Sequence, residues 1–376
     1  MKDKIITFCK NEVVFVAAIV AAVISAFFVP PSKAYLTYPD YRVLAILFCL
    51  MIIVAGLQEL SVFTWLGRQL SERVKNSRQL SFLLVMLCFF SGMLITNDVA
   101  LITFVPFGIT LLHMAGLKDK IIKVVVLQTI AANLGSMFTP VGNPQNLYLY
   151  NLTGMGIGQF LLLMLPLCVL SFVLLTVVIF VEKPVALATE FPDDKSLPDK
   201  KTIIYCVLFV VCLLTVVRLL PFQLMLGIVM VVIFFLNKGL YKKVDYCLLG
   251  TFLGFFIFVG NMQNIPAVKN LLESLLTGRE LVVSVLASQV ISNVPAAMLL
   301  SGFTKNYEAL LYGVNIGGLG TLIASLASVI SYKSYSMTKE AKTGKYMLVF
   351  TAYNLAFLVV LFIMGVILVF PSNPVV

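Results

Sequence analysis

Long apolar runs follow one another along most of this chain, separated by short polar gaps. A membrane-crossing helix needs about 20 apolar residues, and 60% of the 376 residues are hydrophobic while 12% are charged. The sequence therefore predicts an all-α integral membrane protein with about nine transmembrane helices and two hairpins. The predicted spans lie near 13–29, 42–62, 124–150, 156–181, 202–217, 220–237, 246–262, 309–332 and 346–370. The hairpins are expected near 80–117 and 281–304.

The basic residues predict the orientation of these spans. If the N-terminus is cytoplasmic and each hairpin returns to its own side, 21 of the 27 Lys and Arg residues lie inside. The opposite orientation violates the positive-inside rule. We therefore expect a cytoplasmic-membrane protein with its N-terminus in the cytoplasm and its C-terminus, residues 371–376, outside. Because this topology accounts for the net charge of +10, no nucleic-acid partner is expected.

The chain divides near its middle into two halves with the same order of parts. Residues 182–201 form a long polar stretch, which we interpret as part of a cytoplasmic linker. We assign residues 1–181 to a first repeat, 182–219 to the linker plus an extra span, and 220–376 to a second repeat. Each repeat contains one hairpin and one interrupted helix, at 124–150 or 309–332. The single extra crossing predicts that the repeats have inverted topology, as in many secondary transporters.

Each hairpin has a polar tip, and a segment rich in glycine and asparagine follows it. The tips are Thr96–Ala100 and Ser292–Ala296, and the segments are 133–146 and 315–325. Irregular backbone at membrane depth survives only where it is buried or lines a polar cavity. Its free carbonyls could coordinate a cation, and its half-helix N-termini could attract an anion. The alternative is that the glycines allow close helix packing and the amides hydrogen-bond between helices.

Asp98 is the only formally charged residue between Arg78 and Lys118. A carboxylate in the middle of an apolar segment costs about 2.5–3.5 kcal/mol, which suggests a function. It can ligate sodium, or it can take up a proton because removal from water favours the neutral carboxyl group. The alternative is that it caps the second arm of the hairpin.

Common catalytic and nucleotide-binding signatures are missing from the sequence. It contains no Walker, Rossmann, HExxH or GxSxG pattern. We therefore expect no enzyme activity and no cofactor. The energy source should be an ion gradient, with sodium ions or protons as coupling ions, and no other metal is expected.

Four segments of the sequence resemble the ion transporter superfamily. They are TNDVALITFVPF (96–107), NLGSMFTPVGNPQN (133–146), SNVPAA (292–297) and NIGGLGTLIAS (315–325). This superfamily includes the citrate-transporter-like permeases, the divalent anion:sodium symporters and the arsenical pump membrane proteins. The resemblance implies a homodimer in the lipid bilayer that carries a small anion. It also implies a scaffold domain and a transport domain that moves against it.

In the sodium-coupled carboxylate members, each tip reads Ser-Asn-Thr and binds a substrate carboxylate and a sodium ion together with the following interrupted helix. The substrate positions implied here are Thr96, Asn97, Asp98, Asn143, Ser292, Asn293 and Ser325. The ion positions implied here are Thr96, Asn97, Asp98, Gly142, Ser292, Asn293 and Ala324. The third tip position departs from the pattern, because it is Asp98 in one half and Val294 in the other.

Two functions are consistent with these residues. The first is a secondary active transporter that moves an organic anion, such as the di- or tricarboxylate citrate, with a sodium or proton gradient. The second is an arsenite exporter or a sodium/proton antiporter in which Asp98 is the coupling carboxylate. With an Asp at the third tip position, the sequence resembles the arsenical-pump branch and the sodium/proton antiporters more closely.

Overall fold

The computed structural model describes residues 12–71, 74–187 and 199–369, and regular structure in these ranges is helical. The helices are α1 (Val13–Phe28), α2 (Tyr41–Glu59), α3 (Val62–Ser71), α4 (Ser77–Ile95), α5 (Asn97–Met114), α6 (Ile121–Ser136), α7 (Pro144–Thr153), α8 (Ile157–Phe180), α9 (Lys201–Val216), α10 (Phe222–Leu236), α11 (Tyr246–Gln263), α12 (Pro266–Leu276), α13 (Glu280–Ile291), α14 (Asn293–Ser301), α15 (Tyr307–Ile316), α16 (Leu326–Ser336) and α17 (Thr343–Val369). Short 3₁₀ segments are Lys33–Thr37, Lys118–Lys120, Lys238–Lys243 and Leu322–Ala324. The predicted all-α membrane fold is confirmed.

Six of the described helices are long and apolar enough to cross a membrane, namely α2, α4, α5, α8, α11 and α17. A seventh candidate span is formed if α12 and α13, which meet at an angle of 111°, are counted together. This count differs from the nine expected spans. Three of the expected spans correspond to α1, α9 and α10, which are apolar but only 15 or 16 residues long. The segments 124–150 and 309–332 are each broken into two helices. By contrast, both arms of the first hairpin reach spanning length.

The helices pack as two groups. The core group consists of α4–α8 and α13–α17, and the outer group consists of α1, α2 and α9–α11. Contacts between the groups run mainly from α11 to α14 and from α2 to α7, with α3 and α12 lying between them. The sequence did not predict α3 and α12. Both are short and carry charged residues, so an apolarity criterion for spans cannot find them.

Each hairpin returns to the side from which it starts. Near the start of α4, Arg78 Nε donates to the Glu182 carbonyl at 2.9 Å, and after α5 the Lys120 ammonium lies 2.7 Å from the Glu182 carboxylate. In the second hairpin, Thr304 after α14 donates to Glu280 at the start of α13, at 3.2 Å. The two tips therefore lie at the far ends of their arms. The opposite membrane orientation of the two repeats stays a prediction.

Candidate functional site

The two hairpin tips share one unusual backbone conformation. Thr96 has φ 73° and ψ 150°, and Ser292 has φ 72° and ψ 155°. A residue with a side chain rarely adopts a positive φ, and such strain clusters at functional sites. Each of these residues ends one helix, and the next helix begins at the following asparagine, Asn97 or Asn293. The tips thus present a hydroxyl and an amide at the same place in both halves.

The interrupted helices break beside these tips. Between α6 and α7 the chain is irregular from residue 137 to 143, and between α15 and α16 the irregular stretch runs from 317 to 325 and includes the short 3₁₀ segment. A Cβ at Gly142 would overlap the Ser136 carbonyl, so only glycine fits this turn. The Gly142 carbonyl accepts a hydrogen bond from the backbone N–H of Asn97 at 3.1 Å. This bond joins the first tip directly to the first break.

A buried asparagine network connects both halves. The Oδ1 atom of Asn133 accepts hydrogen bonds from Asn97 Nδ2 at 3.0 Å and from Ser325 Oγ at 2.9 Å. Asn315, its counterpart in the second repeat, accepts from Asn143 Nδ2 at 3.2 Å and donates to Asn146 Oδ1 at 2.7 Å. Each asparagine of this pair therefore contacts the broken helix of the opposite half, and Asn133 also holds the first tip.

The second tip is held by its own broken helix. Ser292 Oγ donates to the Ala324 carbonyl at 3.3 Å. The side chain of Gln289 donates to the carbonyls of Gly317 and Leu319, both at 2.9 Å, and its Oε1 accepts from the Thr321 N–H at 2.9 Å. Side chains of α13 and of the second tip thus satisfy several backbone groups of the irregular stretch between α15 and α16.

Four helix N-termini lie around this network, those of α5, α7, α14 and α16. Their first residues or caps are Asn97, Asn143, Asn293 and Ser325. A helix N-terminus carries roughly half a positive charge from its free N–H groups. The C-termini of α4, α6, α13 and α15 adjoin the same breaks and leave carbonyl oxygens there. The arrangement can therefore attract an anion at some positions and a cation at others.

Asp98 lies in the first turn of α5, directly after the tip. Its backbone N–H donates to Asn97 Oδ1 at 3.0 Å. Its own carboxylate atom Oδ1 is buried and has no hydrogen-bond partner among the described residues. The carboxylate is not the N-cap of α5, since Thr96 occupies that position. A buried carboxylate oxygen without a donor is suited to a cation or a proton.

The structure brings most of the predicted site residues together. Those linked directly to the tips and breaks are Thr96, Asn97, Gly142, Asn143, Ser292, Ala324 and Ser325. Asn293 faces Gly318, whose added Cβ would lie 3.0 Å from the Asn293 amide nitrogen. The predicted set lacks Asn133, Asn146, Gln289 and Asn315. The signal that could have found two of them is the ungapped alignment of the repeats, in which Asn133 and Asn315 are identical.

A cavity of about 1660 Å³ opens between the two helix groups. Phe256 and Gln263 of the outer group and Met298 and Ser301 of the core group are among its lining residues. Tyr148 of α7 also lines it, and its hydroxyl oxygen lies 2.8 Å from Ser301 Oγ. The cavity is therefore bounded by α7 and α14, two of the helices that begin in the asparagine network.

Comparison with known proteins identifies the family. The sequence model of the family described as "Citrate transporter" (CitMHS) matches residues 5–309. An uncharacterized transporter of Methanocaldococcus jannaschii is 30% identical over 82% of this chain and 85% of its own length. The inner membrane protein YbiR of Escherichia coli is 29% identical over 82% of this chain and 84% of its own length. The silicon efflux transporter LSI3 of Oryza sativa is 31% identical over 34% of this chain and 26% of its own length.

These comparisons confirm the predicted resemblance and the expectation that the chain is not an enzyme. The family match and the first two relatives extend over most of the chain, and they are described as transporters or membrane proteins. The chain belongs to the citrate transporter family and is a multi-pass membrane transporter.

Proposed function

We propose that this protein is a secondary active transporter that moves a small organic anion, such as the di- or tricarboxylate citrate, across the cytoplasmic membrane. The observation that carries the proposal is the convergence of four helix N-termini on one buried network of amides and hydroxyls. These groups are hydrogen-bond donors, and the helix ends add partial positive charge. A carboxylate bound there needs no Lys or Arg partner.

The coupling ion in this proposal is sodium or a proton, and it binds beside the first tip. Asp98 supplies a negative charge, and the carbonyls at the ends of α4 and α6 supply further oxygen ligands. Sodium prefers such oxygen ligands, as hard cations do. Because the cation lies next to the anion, each favours binding of the other, which is the coupling that symport needs.

The proposal also includes the route of the substrate, the orientation of the chain in the membrane and its assembly. The cavity between the two groups is the route by which substrate reaches α7 and α14. The N-terminus is cytoplasmic and the C-terminus is outside, and both termini lie outside the described residues. The transporter acts as a homodimer, with the outer group as scaffold and the core group as the moving part.

Thermal stabilisation of the purified protein tests the substrate. A ligand that binds the folded state raises its stability by RT ln(1 + [L]/Kd). The panel is citrate, succinate, malate, sulfate and arsenite, each with and without sodium and at two pH values. We expect a shift that needs a carboxylate together with sodium or a lower pH. If no carboxylate shifts the melting temperature and none drives uptake into liposomes, the proposal fails.

A second candidate function is arsenite export or sodium/proton exchange, with Asp98 as the coupling group. The unpartnered carboxylate oxygen of Asp98 favours it, and the similarity to a silicon efflux transporter is consistent with a small oxygen-rich solute. Asp98→Asn then abolishes arsenite and proton flux. In the carboxylate transporter it removes the ion dependence of uptake, while carboxylate binding at the helix N-termini keeps part of the activity. Asp119→Asn, an exposed Asp after α5, is the matched control. Flux of arsenite and of protons in the two variants distinguishes the functions.

A further inference from the structure

Five lysines gather at one end of α9 and α10. Lys200 and Lys201 lie at the start of α9, and Lys238, Lys242 and Lys243 lie in the 3₁₀ segment after α10. A five-residue connection joins α9 to α10, and the two helices pack together, so these positions lie at the same end of the pair. We call this set the basic corner.

Three carboxylates near the corner compensate part of this charge. They are Glu59, Asp199, whose Oδ1 accepts from the Lys201 N–H at 3.0 Å, and Asp245, which lies two residues after Lys243. Glu59 at the end of α2 lies 2.9 Å from the ammonium of Lys243 and accepts from Asn237 at 3.2 Å. Lys201 is also within electrostatic reach of this carboxylate. Among the described residues, Lys200, Lys238 and Lys242 form no ion pair with an acidic side chain. The five exposed lysines therefore outnumber the three carboxylates in the part of the chain that the structure describes, and the corner keeps an excess of positive charge.

The surface directly beside the basic corner is apolar. On α9, Ile203 is 68% exposed, and on α10, Phe235 is 81% exposed. The ammonium of Lys238 lies 4.4 Å from the centre of the Phe234 ring, so the charge sits at the edge of the apolar face. Asn237 Oδ1 accepts from the Gly239 N–H at 3.0 Å and fixes the turn that carries this lysine. Charge and apolar surface thus meet at a defined boundary.

We propose that the basic corner and the α9–α10 face bind an anionic phospholipid. The phosphate lies among Lys200, Lys238 and Lys242, and the acyl chains lie along Ile203 and Phe235. Basic clusters at the membrane surface attract anionic lipids. A zwitterionic lipid leaves the excess charge uncompensated, and a free phosphate makes no use of the apolar face. The site lies on the outer group, away from the asparagine network, and is independent of the transported substrate.

Native mass spectrometry of the full-length protein in detergent tests this site. The probes are phosphatidylglycerol and phosphatidylcholine with identical acyl chains. The test variant is Lys238→Gln/Lys242→Gln, and the control is Lys342→Gln/Lys345→Gln, which removes two exposed lysines near the start of α17. We expect the unmodified chain to prefer phosphatidylglycerol. The test variant should bind it about thirtyfold more weakly, which corresponds to about 1 kcal/mol per lysine, and the control should be unchanged.

Several outcomes overturn the proposal. Equal binding of the two lipids by the unmodified chain does so, as does an equal loss in both variants or no loss in the test variant. A second copy of the chain on the same face also excludes it. The exposed Cys206 of α9 tests for such a second copy. Efficient crosslinking between two chains through Cys206, independent of lipid and absent in Cys206→Ser, would place another copy on this face. Both variants must elute as the unmodified protein does, and Lys238→Arg/Lys242→Arg must restore binding if the charge is responsible.

Discussion

The hydrogen bond between Asn133 and Ser325 joins the two halves of the chain, and its strength can be measured. Its atoms are 2.9 Å apart, and the two residues are 5% and 1% exposed. Hydrogen bonds between helices in membranes contribute about 0.6 kcal/mol on average and up to about 1.7 kcal/mol. We expect about 1 kcal/mol here because Ser325 has a fixed geometry at the start of α16.

A double-mutant cycle isolates this bond. Asn133→Ala also leaves Asn97 Nδ2 without its acceptor, so it should lower the free energy of unfolding by about 2–4 kcal/mol. Ser325→Ala should lower it by about 1 kcal/mol, and the double variant by about 1 kcal/mol less than the sum of the two. The measurement is reversible denaturant unfolding in micelles, followed by circular dichroism.

Ser331→Ala is the matched control for this cycle. Ser331 is buried on the same helix, but its hydroxyl donates to the Ala327 carbonyl of its own helix at 3.2 Å. Its coupling to Asn133 should be near zero. A coupling for Ser325 no larger than that for Ser331 would refute the inference that this hydrogen bond ties the repeats together.

Three further variants test other parts of the structure. Gly142→Ala should abolish ligand-induced stabilisation in the melting assay, because its Cβ would overlap a backbone carbonyl. Thr96→Gly should relieve a positive φ, which costs about 1–3 kcal/mol; it should therefore melt no lower than the unmodified protein while losing transport in liposomes. Burial disfavours the charge of Glu182, but hydrogen bonds from lysines, including Lys120, outweigh it and lower its pKa. A carboxyl group whose pKa is lower in the folded state than in the unfolded state, where it is about 4.3, stabilises the folded protein above that pH. This stabilisation is lost as the pH falls through the folded-state pKa. Glu182→Gln should thus flatten the loss of stability in acid, as measured by unfolding at pH 3 to 7, whereas Glu340→Gln, at an exposed pair, should change little.

The sequence was most informative where one physical requirement dominates. Apolar length sets the spans, so the expected 156–181 agrees closely with the observed Ile157–Phe180. The first break was also predictable, because proline and glycine at 140–144 cannot continue a helix without loss. By contrast, α3 (Val62–Ser71) is amphipathic and short, and its position depends on contacts with α2, α4 and α5. Its amphipathic pattern indicates a helix, but the place where that helix packs has no local signal.

The site was predictable as a set of segments but not as a set of contacts. The tips follow from their polar residues within apolar surroundings. The bond from Ser325 to Asn133 spans 192 positions of sequence, and no spacing rule indicates it. Only the internal alignment pairs Asn133 with Asn315, and it does not show that each would bond to the opposite half. Such contacts arise from the way the two repeats interlock.

The two halves match in backbone but differ in charge, and this difference bears on coupling. Both tips have the same φ and ψ, and both start a helix with asparagine. The residue after that asparagine is Asp98 in the first half, with a buried unpartnered oxygen, and Val294 in the second, which is 8% exposed. The shared backbone presents helix N-termini from both halves to an anion. Of the two tips, only the first has a carboxylate that can bind a cation. In the proposed transporter, both halves therefore contribute to the anion site, whereas the coupling ion binds beside the first tip only. Val294→Asp, which restores chemical symmetry, should therefore add a second cation dependence to transport, visible as a steeper dependence of uptake on sodium or proton concentration, and an unchanged dependence would contradict this assignment.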